Sequence, residues 1–349
     1  MIRVGINGVG RIGRALLRNM LKQGTCKVVA INDINPDIEN LAYLIKYDST
    51  YGRLDNTVVV KGDTIVIDDF HPIRITQNPD IHGVDWDADL VVDASGVTKN
   101  LINARELKKQ GVKWCIVTNS PEASMVDKTI IMGVNEDTIN PGVDFLLSSS
   151  ICDANAFVPV MHTLDQHLEI DHGFLTTLHP WLSYQNLLDG PSISYATPGE
   201  IYDHYALGRS SIGALIPKTT SAISASCKVL TNLTGKFMSV SFRIPTAIVS
   251  CGDVSVKFKK KTSAEEIKQI LFDQERRQKL RIIHNNVEAL DSADYAGFDY
   301  SASVDHRWIM VNDENYVKLV LWYDNEWGYS ARVFDLINYL ESAAGLEKK

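Results

Sequence analysis

Short apolar runs alternate with amphipathic stretches through the first half of the chain. The run "IRVGING" predicts a strand, and the "RIGRALLRNMLKQG" that follows places Ile12, Leu16 and Met20 at helical spacing. The same alternation continues through "KVVAIND", "DLVVDASG", "KNLINARELKKQG", "KWCIVTNSP" and "DFLLSSS". Strands that alternate with helices predict a parallel, doubly wound sheet, so we expect an α/β fold here.

The pattern changes after Cys152. Longer strand-like runs follow with fewer helical signals, namely "GFLTTLH", "KFMSVSFRIPTAIVSCGDVSVKF" and "VKLVLWYD". They predict an α+β region with a mixed or antiparallel sheet. The final "WGYSARVFDLINYLESAAG" predicts an amphipathic helix whose apolar face carries Val333, Leu336, Ile337 and Leu340. The chain is therefore expected to contain two domains.

Composition and charge narrow the class of protein. The 349 residues are 45% hydrophobic and 22% charged, enough for a substantial core in two domains. A net charge of −8 and a pI of about 5.6 predict no general attraction to nucleic acid or to an anionic membrane. The sequence shows no signal-peptide pattern and no apolar run of membrane-spanning length, so we expect a cytoplasmic protein.

Cysteine usage argues against a structural role for sulfur. The chain has five cysteines and no CxxC pair, which disfavours both a disulfide framework and a structural zinc site. We expect no bound metal, and a cysteine with a function should act through the chemical reactivity of its thiol.

A glycine motif lies between the first predicted strand and helix. Gly8, Gly10 and Gly13 form G-x-G-x-x-G, and Asp33 ends the next predicted strand. Glycines there let a pyrophosphate approach backbone N–H groups, and the carboxylate accepts ribose hydroxyls and repels a 2′-phosphate. The motif therefore predicts NAD rather than NADP, the alternative being a tight turn without a ligand. Arg11 is either a pyrophosphate contact or an exposed arginine of the first helical turn.

One cysteine occupies a chemically suggestive position. Cys152 follows "DFLLSSS" and precedes a predicted helix, so it is expected at a helix N-terminus, where partial positive charge stabilises a thiolate. His179 ends the strand-like "GFLTTLH" and is the candidate base. Asp153 would raise the pKa of the thiol, an effect that we expect His179 and the helix end to offset. A buried cysteine with no chemical role is the alternative.

Seven ordered motifs resemble one enzyme family. The motifs "VGINGVGRIGR", "IND", "YLIKYDSTYGR", "MGVNED", "TTLH", "FRIPT" and "WYDNEWGYSARV" are similar to those of the glyceraldehyde-3-phosphate dehydrogenase superfamily, from residue 2 to about residue 335. The resemblance implies an N-terminal Rossmann NAD-binding domain over residues 1–151 and an α+β catalytic domain with a mostly antiparallel sheet over residues 152–325. It also implies that a C-terminal helix, residues 326–349, packs back on the first domain, and that the protein is a homotetramer.

The resemblance also implies a mechanism and a set of site residues. Cys152 would attack an aldehyde to give a thiohemiacetal, His179 would take the proton, and hydride transfer to the nicotinamide would leave a thioester. Asn325 matches the asparagine that holds the nicotinamide carboxamide, and Tyr329 matches the nearby ring. The residues expected to bind NAD are Gly8, Gly10, Arg11, Ile12, Gly13, Asp33, Ser95, Gly96, Asn119, Asn325 and Tyr329.

Departures from the family pattern fall in the phosphate pockets. Typical members read Ser-Cys-Thr-Thr-Asn at the cysteine, whereas this chain reads Ile-Cys-Asp-Ala-Asn, so two hydroxyls of the inorganic-phosphate pocket are missing. Leu182 and Leu207 stand where a threonine and an arginine bind the substrate's own phosphate. The loop from 180 to 208 is also longer than usual. Thr220 and Arg243 keep part of the anion pocket, although Arg243 could instead serve a salt bridge.

These departures leave more than one hypothesis. Asp153 is either a favourable carboxylate in the first helical turn or a substrate-site residue that disfavours phosphate and orients water. We therefore expect NAD-dependent oxidation of an aldehyde other than glyceraldehyde 3-phosphate, with hydrolysis to a carboxylic acid and with Asp153, Thr220 and Arg243 at the substrate. A phosphorylating dehydrogenase of glyceraldehyde 3-phosphate or erythrose 4-phosphate is one alternative. An NAD-binding redox sensor or scaffold is the other.

Overall fold

A computed structural model describes residues 1–68, 71–194, 196–343 and 345, with the backbone alone described at residue 71. The chain divides into two compact units. Unit 1 comprises Met1–Ile130, Glu136–Ser150 and the described residues from Ser330 onward, and unit 2 comprises Ile131–Asn135 and Ile151–Tyr329. The last part of the predicted C-terminal helix, residues 344 and 346–349, lies outside the described residues.

Unit 1 is an α/β unit. Its strands are β1 (Arg3–Asn7), β2 (Lys27–Asn32), β3 (Tyr47–Asp48), β4 (Gly52–Arg53), β5 (Val58–Lys61), β6 (Thr64–Ile67), β7 (His71–Thr76), β8 (Leu90–Asp93), β9 (Trp114–Val117), β10 (Lys128–Thr129) and β11 (Leu146–Ser148). Its helices include α1 (Arg11–Gln23), α2 (Ile38–Lys46) and α3 (Thr98–Asn103).

Nine strands of the described part of unit 1 form one sheet, in the order β10-β11-β9-β8-β1-β2-β7-β6-β5. The pairs from β10 to β7 are parallel, as the alternation of strands and helices predicts. The pairs β5–β6 and β6–β7 are antiparallel, so the prediction of a wholly parallel sheet was wrong at this edge. The connections are short here, and only antiparallel neighbours can be joined by a tight turn.

Unit 2 is an α+β unit. Its strands are β12 (Ile170–Pro180), β13 (Ile216–Lys218), β14 (Phe237–Ile244), β15 (Ser250–Phe258), β16 (Ile283–Asn286), β17 (Ala302–Asp305), β18 (Met310–Asn312) and β19 (Tyr316–Tyr323). Its helices include α4 (Cys152–Leu168), α5 (Ala222–Cys227) and α6 (Ala264–Arg277). A last helix, α7 (Trp327–Ala343), begins in unit 2 and continues in unit 1.

The sheet of unit 2 has the order β13-β14-β12-β15-β19-β17-β16, with β18 paired to β19. The pairs β12–β14 and β16–β17 are parallel, and the other pairs are antiparallel. The mostly antiparallel sheet expected from the family resemblance is therefore present. Within the described residues, no helix has both the length and the apolar character needed to cross a membrane.

Helix α4 and strand β12 determine where the chemistry of unit 2 can occur. The helix is buried along most of its length, and Phe157 packs edge-on against Phe237 of β14 with ring centroids 5.1 Å apart. The chain then reverses at Glu169, whose φ of 58° is left-handed, and β12 runs back along the helix. The first residue of α4 and the last residues of β12 consequently lie at the same end of the unit.

Candidate active site

Cys152 is the first residue of α4. Ser150, with a left-handed φ of 60°, turns the chain out of the sheet, and Ile151 follows in an extended conformation as the N-cap. The cap has no side-chain hydrogen bond, so N–H groups of the first turn are left for other partners. The thiol of Cys152 is half-buried at this helix end, as the sequence predicts.

His179 lies opposite the thiol. It is the penultimate residue of β12, it is buried, and its Nε2 is 3.5 Å from Sγ of Cys152. Nδ1 lies 3.1 Å from the carbonyl oxygen of Pro180. Nε2 is therefore the ring nitrogen that faces the thiol. The structure therefore brings the predicted nucleophile and base within reach of each other.

Arg243 lies behind the histidine. In the parallel pairing of β12 with β14, Arg243 is the partner of His179, so both side chains are on one face of the sheet. Its Nη1 donates to the carbonyl of Pro180 at 3.0 Å and also contacts Nδ1 of His179. The arginine is buried without a carboxylate partner among the salt bridges of the described residues. Its positive charge is therefore available to a bound anion.

Asp153 accepts hydrogen bonds from three directions. The hydroxyl of Tyr323 donates to Oδ1 at 2.8 Å, the hydroxyl of Thr220 donates to Oδ2 at 3.3 Å, and the thiol of Cys152 lies 3.6 Å from Oδ1. The carboxylate is buried. A buried carboxylate is costly unless donors surround it, and here two hydroxyls meet that need. Asp153 thus points into the cysteine site and not toward solvent.

Burial shifts the pKa values of both members of the Cys152–His179 pair. Burial, reinforced by the negative charge of Asp153, raises the pKa of the Cys152 thiol well above its usual value. Burial and the positive charge of Arg243 lower the pKa of His179 to about 4. The stabilisation of a Cys152 thiolate by the helix end stays a prediction, and these pKa shifts oppose it. At pH 7 a neutral thiol faces a neutral imidazole, which is a base able to accept its proton.

Two residues of the site, Tyr323 and Lys218, were not predicted from the sequence. Tyr323 ends β19, where the strand pairing brings it opposite Ser250 and over Asp153. Lys218 ends β13 beside Thr220, and it is half-buried, with its pKa lowered by burial and by the charge of Arg243. For Lys218 the only available signal was its closeness in sequence to Thr220, two positions further on. No local signal marked Tyr323.

The positions that bind the substrate phosphate in typical family members are apolar here. Leu207 is buried, and Leu182 is half-buried. The nearest arginine along the chain, Arg209, donates to Asp189 at 2.7 Å in an exposed ion pair, so its charge is engaged elsewhere. The loop that carries these residues closes on itself through a backbone hydrogen bond from Gly190 to Gly208.

The predicted cofactor loop lies in unit 1 and requires its glycines. Gly8 has a left-handed φ of 83°, and a Cβ there would come within 2.7 Å of the Cα of Ser95. A Cβ on Gly13 would come within 2.1 Å of the carbonyl oxygen of Gly8. Gly10 is the N-cap of α1 without a side-chain cap. Backbone N–H groups at this helix start can therefore be approached closely by a pyrophosphate.

Polar groups beside the loop also fit NAD. Asp33 accepts hydrogen bonds from the backbone N–H groups of Val9 and Asn35, at 2.8 and 2.9 Å, one on each carboxylate oxygen. Each oxygen keeps a lone pair for a ribose hydroxyl. In the described part of the chain, Oδ1 of Asn119 is a buried acceptor without a hydrogen-bond partner. These features are compatible with a bound dinucleotide.

The remaining predicted cofactor residues have structural contacts of their own. Arg11 pairs with the buried Asp48 at 2.6 Å and stacks over Tyr51, so its role at a pyrophosphate stays a prediction. The carbonyl of Ile12 accepts from Ser330 at 3.3 Å.

The loop after β8 shapes a second part of the predicted cofactor site. Ser95 donates its hydroxyl to the buried Asp93 at 2.6 Å. Gly96 follows with a left-handed φ of 70°, which favours glycine.

In unit 2, Asn325 is buried and its Oδ1 accepts from Ser250 at 3.2 Å. Tyr329 is buried in the first turn of α7. Their proposed contacts with the nicotinamide stay predictions.

Comparison with known proteins matches both units. A family model described as "Glyceraldehyde 3-phosphate dehydrogenase, NAD binding domain" matches residues 2–101, and the "C-terminal domain" model of the same family matches residues 151–325. Glyceraldehyde-3-phosphate dehydrogenase 1 of Schizosaccharomyces pombe is 36% identical over 341 residues, which cover 97% of each chain. Glyceraldehyde-3-phosphate dehydrogenase 1 of Kluyveromyces lactis is 34% identical over 343 residues, or 97% of this chain and 100% of the relative.

Fold and comparisons together define an NAD-binding oxidoreductase with an N-terminal Rossmann domain and an α+β C-terminal domain. The chain belongs to the glyceraldehyde-3-phosphate dehydrogenase family. The resemblance drawn from the ordered motifs, the fold class and the choice of NAD as cofactor are confirmed.

The crowding at Gly13 predicts the effect of one methyl group. In Gly13→Ala the Cβ would overlap the carbonyl of Gly8, so the loop must shift and its N–H groups lose their alignment. We expect NAD affinity to fall at least about tenfold, which corresponds to roughly 1.4 kcal/mol. Calorimetric titration with NAD measures this. Gly142→Ala is the control, since the new Cβ would meet Oδ1 of Asn140 at 3.7 Å, an ordinary van der Waals contact. Wild-type affinity in Gly13→Ala would contradict the account.

The charge of Asp153 predicts the reactivity of the thiol. Alkylation by iodoacetamide requires the thiolate, so Cys152 should react slowly at pH 7 and faster as the pH rises. In Asp153→Asn the pKa of Cys152 should fall. Each pKa unit of that fall raises the fraction of Cys152 present as thiolate at neutral pH about tenfold. Site-resolved mass spectrometry separates Cys152 from the other four cysteines. The exposed-site variant Asp171→Asn should leave the rate unchanged, and an unchanged rate in Asp153→Asn would remove the carboxylate from this role.

Proposed function

We propose that this protein oxidises an aldehyde other than glyceraldehyde 3-phosphate with NAD and hydrolyses the resulting thioester to a carboxylic acid. The observation that carries the proposal is the buried carboxylate of Asp153, hydrogen-bonded by Thr220 beside the thiol of Cys152. In typical family members a threonine occupies the position of Asp153, and the pocket there receives inorganic phosphate.

The acylation steps follow from the Cys152–His179 pair. Sulfur adds to the aldehyde carbon, the thiol proton passes to Nε2 of His179, and the carbonyl oxygen takes up that proton to complete a thiohemiacetal. His179 then removes the hydroxyl proton as hydride leaves the carbon, and a thioester on Cys152 remains. When bound, NAD supplies the hydride acceptor. The distance of 3.5 Å between Sγ and Nε2 supports the first proton transfer.

Asp153 directs the deacylation step. A fixed carboxylate a few ångströms from the thioester opposes a dianionic phosphate by about 1 kcal/mol in water-like surroundings and by several at lower effective dielectric. Its oxygens can also accept a hydrogen bond from a water molecule and orient it toward the thioester. Attack by water breaks the carbon–sulfur bond and releases the carboxylic acid; the departing thiolate takes the proton from the imidazolium of His179, and the proton lost by the attacking water passes to solvent.

The proposed substrate differs at its far end from a phosphorylated triose. Leu182 and Leu207 offer no hydrogen bonds to a phosphate, and each lost charge-assisted bond costs roughly 1.5 to 3 kcal/mol. Use of glyceraldehyde 3-phosphate should therefore be weaker by about two to four orders of magnitude than in an enzyme with both bonds. A substrate less anionic at that end, or a larger one, fits these side chains better.

A phosphorylating dehydrogenase is the second candidate. The relatives carry the name of glyceraldehyde-3-phosphate dehydrogenase, and two cations favour an anionic ligand. The charges of Lys218 and Arg243 both act on Cys152 and Asp153. Their combined charge exceeds that of the single carboxylate, so a phosphate could still be attracted. The homotetramer and the cytoplasmic location expected from the sequence remain predictions.

Omission of phosphate separates the two candidates. The protein is incubated with NAD and a panel of aldehydes that includes glyceraldehyde 3-phosphate, and reduced cofactor is followed by absorbance. We expect the rate on the best aldehyde to be unchanged without inorganic phosphate. The hydroxyl of Thr220, which would bind the phosphate, donates its hydrogen bond to Asp153 instead. Rapid oxidation of glyceraldehyde 3-phosphate that strictly requires inorganic phosphate would contradict the proposal and show that the protein is a phosphorylating dehydrogenase.

A matched pair of variants tests the role of the carboxylate in the same assay. The double variant Ile151→Ser/Asp153→Thr restores both hydroxyls of the typical pocket and frees Thr220, so phosphate should now accelerate turnover. The single variant Ile151→Ser keeps the carboxylate and should show no phosphate effect. An equal response of both variants to phosphate would show that Asp153 does not select the acceptor.

A further inference from the structure

Three donor atoms of different kinds surround one point in unit 2. Within the described residues, the thiol of Cys152, a carboxylate oxygen of Asp153 and an imidazole nitrogen of His179 all lie within 4.8 Å of one another. Both Asp153 and His179 are buried. The usual hydroxyl residue after the cysteine would leave only a sulfur and a nitrogen here, so the aspartate supplies the third donor.

The distances match those between ligands of a tetrahedral zinc ion. Zinc binds sulfur at about 2.3 Å, nitrogen at about 2.0 to 2.1 Å and carboxylate oxygen at about 2.0 to 2.2 Å, so ligand atoms in a tetrahedron are about 3.4 to 3.6 Å apart. The sulfur of Cys152 is 3.5 Å from Nε2 of His179 and 3.6 Å from Oδ1 of Asp153. The carboxylate oxygen of Asp153 and the ring nitrogen of His179 lie within 4.8 Å of each other, so a side-chain rotation that shortens this third distance would complete the coordinated triangle.

Surrounding groups hold the donors in position. Nδ1 of His179 contacts the carbonyl of Pro180 and Nη1 of Arg243, and Nε2 is the ring nitrogen on the side of Cys152. The hydroxyls of Tyr323 and Thr220 orient the carboxylate of Asp153. Metal-binding histidines and carboxylates are typically oriented by just such partners, and losing one usually lowers metal affinity about 10- to 100-fold.

We propose that Cys152, Asp153 and His179 form a binding site for Zn²⁺ that competes with catalysis. Binding converts the thiol into a thiolate ligand and releases its proton to solvent, and a water molecule can take the fourth position. The mixed sulfur, nitrogen and oxygen set favours zinc over Mg²⁺ or Ca²⁺, which prefer oxygen ligands. The nearby charges of Arg243 and Lys218 oppose a cation, so the ion remains removable by a chelator. Coordination lowers the nucleophilicity of the sulfur, and the ion occupies space that an aldehyde needs to reach it.

Metal binding is measured on the full chain without substrate, so the outcome does not depend on the proposed deacylation. Competition with a chromogenic chelator measures the affinity and stoichiometry of Zn²⁺, and Co²⁺ serves as the spectroscopic probe. We expect one ion per chain, a thiolate-to-cobalt charge-transfer band, and tetrahedral d–d bands in the visible spectrum. An excess of Mg²⁺ should not displace the ion. Less than one ion per chain, or a cobalt spectrum without thiolate character, would overturn the proposal.

Variants assign the ligands. Asp153→Asn should weaken Zn²⁺ binding at least about 100-fold, and Tyr323→Phe, which only releases the carboxylate, about tenfold. Cys152→Ser should remove the charge-transfer band. Cys227→Ser removes a half-buried thiol outside the cluster and should change nothing. Wild-type affinity in Asp153→Asn would show that the aspartate is not a ligand. If that variant does not fold, wild-type affinity in Tyr323→Phe overturns the proposal in its place.

Discussion

The hydrogen-bonded carboxylate of Asp153 is the constraint on which the rest of the site depends. A buried anion is tolerated only where donors surround it, and the hydroxyls of Tyr323, at the end of β19, and of Thr220, two residues after β13, meet that need. The same carboxylate lies next to the thiol of Cys152 and raises its pKa. One side chain thus affects both the reactivity of the nucleophile and the pocket beside it.

The raised pKa of the thiol changes how the pair can work. A preformed ion pair would hold Cys152 as a thiolate before substrate arrives, but burial and Arg243 keep His179 neutral to well below pH 7. These pKa shifts favour a mechanism in which the thiol proton passes to His179 as the sulfur attacks the aldehyde. The neutral thiol is protected from adventitious alkylation, and it becomes a strong ligand or nucleophile only when a cation or a carbonyl group approaches.

Much of this site could be predicted because its signals are local. Gly8 and Gly13 lie between a strand and a helix, Cys152 lies between a strand and a helix, and His179 ends a strand, so each position followed from pattern and family motif. The contacts were harder to predict. Tyr323 is 170 residues from Asp153, and no local pattern relates the end of β19 to the first turn of α4. Burial, which sets the protonation states, has no signal at Cys152 itself.

In the fold, likewise, the elements with a local sequence pattern were predicted, and the pairings between distant elements were not. The periodicity of single elements predicted the parallel part of the first sheet and the helix after Cys152. The antiparallel edge of β5 to β7 was missed because short strands joined by tight turns carry little periodic signal. The position of Lys218 beside Arg243 depends likewise on the pairing of β13 with β14, two elements separated by a helix.

The most direct test of the account is the fate of the acyl group on Cys152. In a single turnover with NAD and an aldehyde substrate, intact-mass spectrometry follows the acyl-enzyme as it decays, with and without inorganic phosphate. The account predicts that the acyl-enzyme decays to free carboxylic acid at the same rate in both conditions, because Asp153 occupies the acceptor pocket. An acyl-enzyme that persists in water and is discharged by phosphate to an acyl phosphate would contradict it.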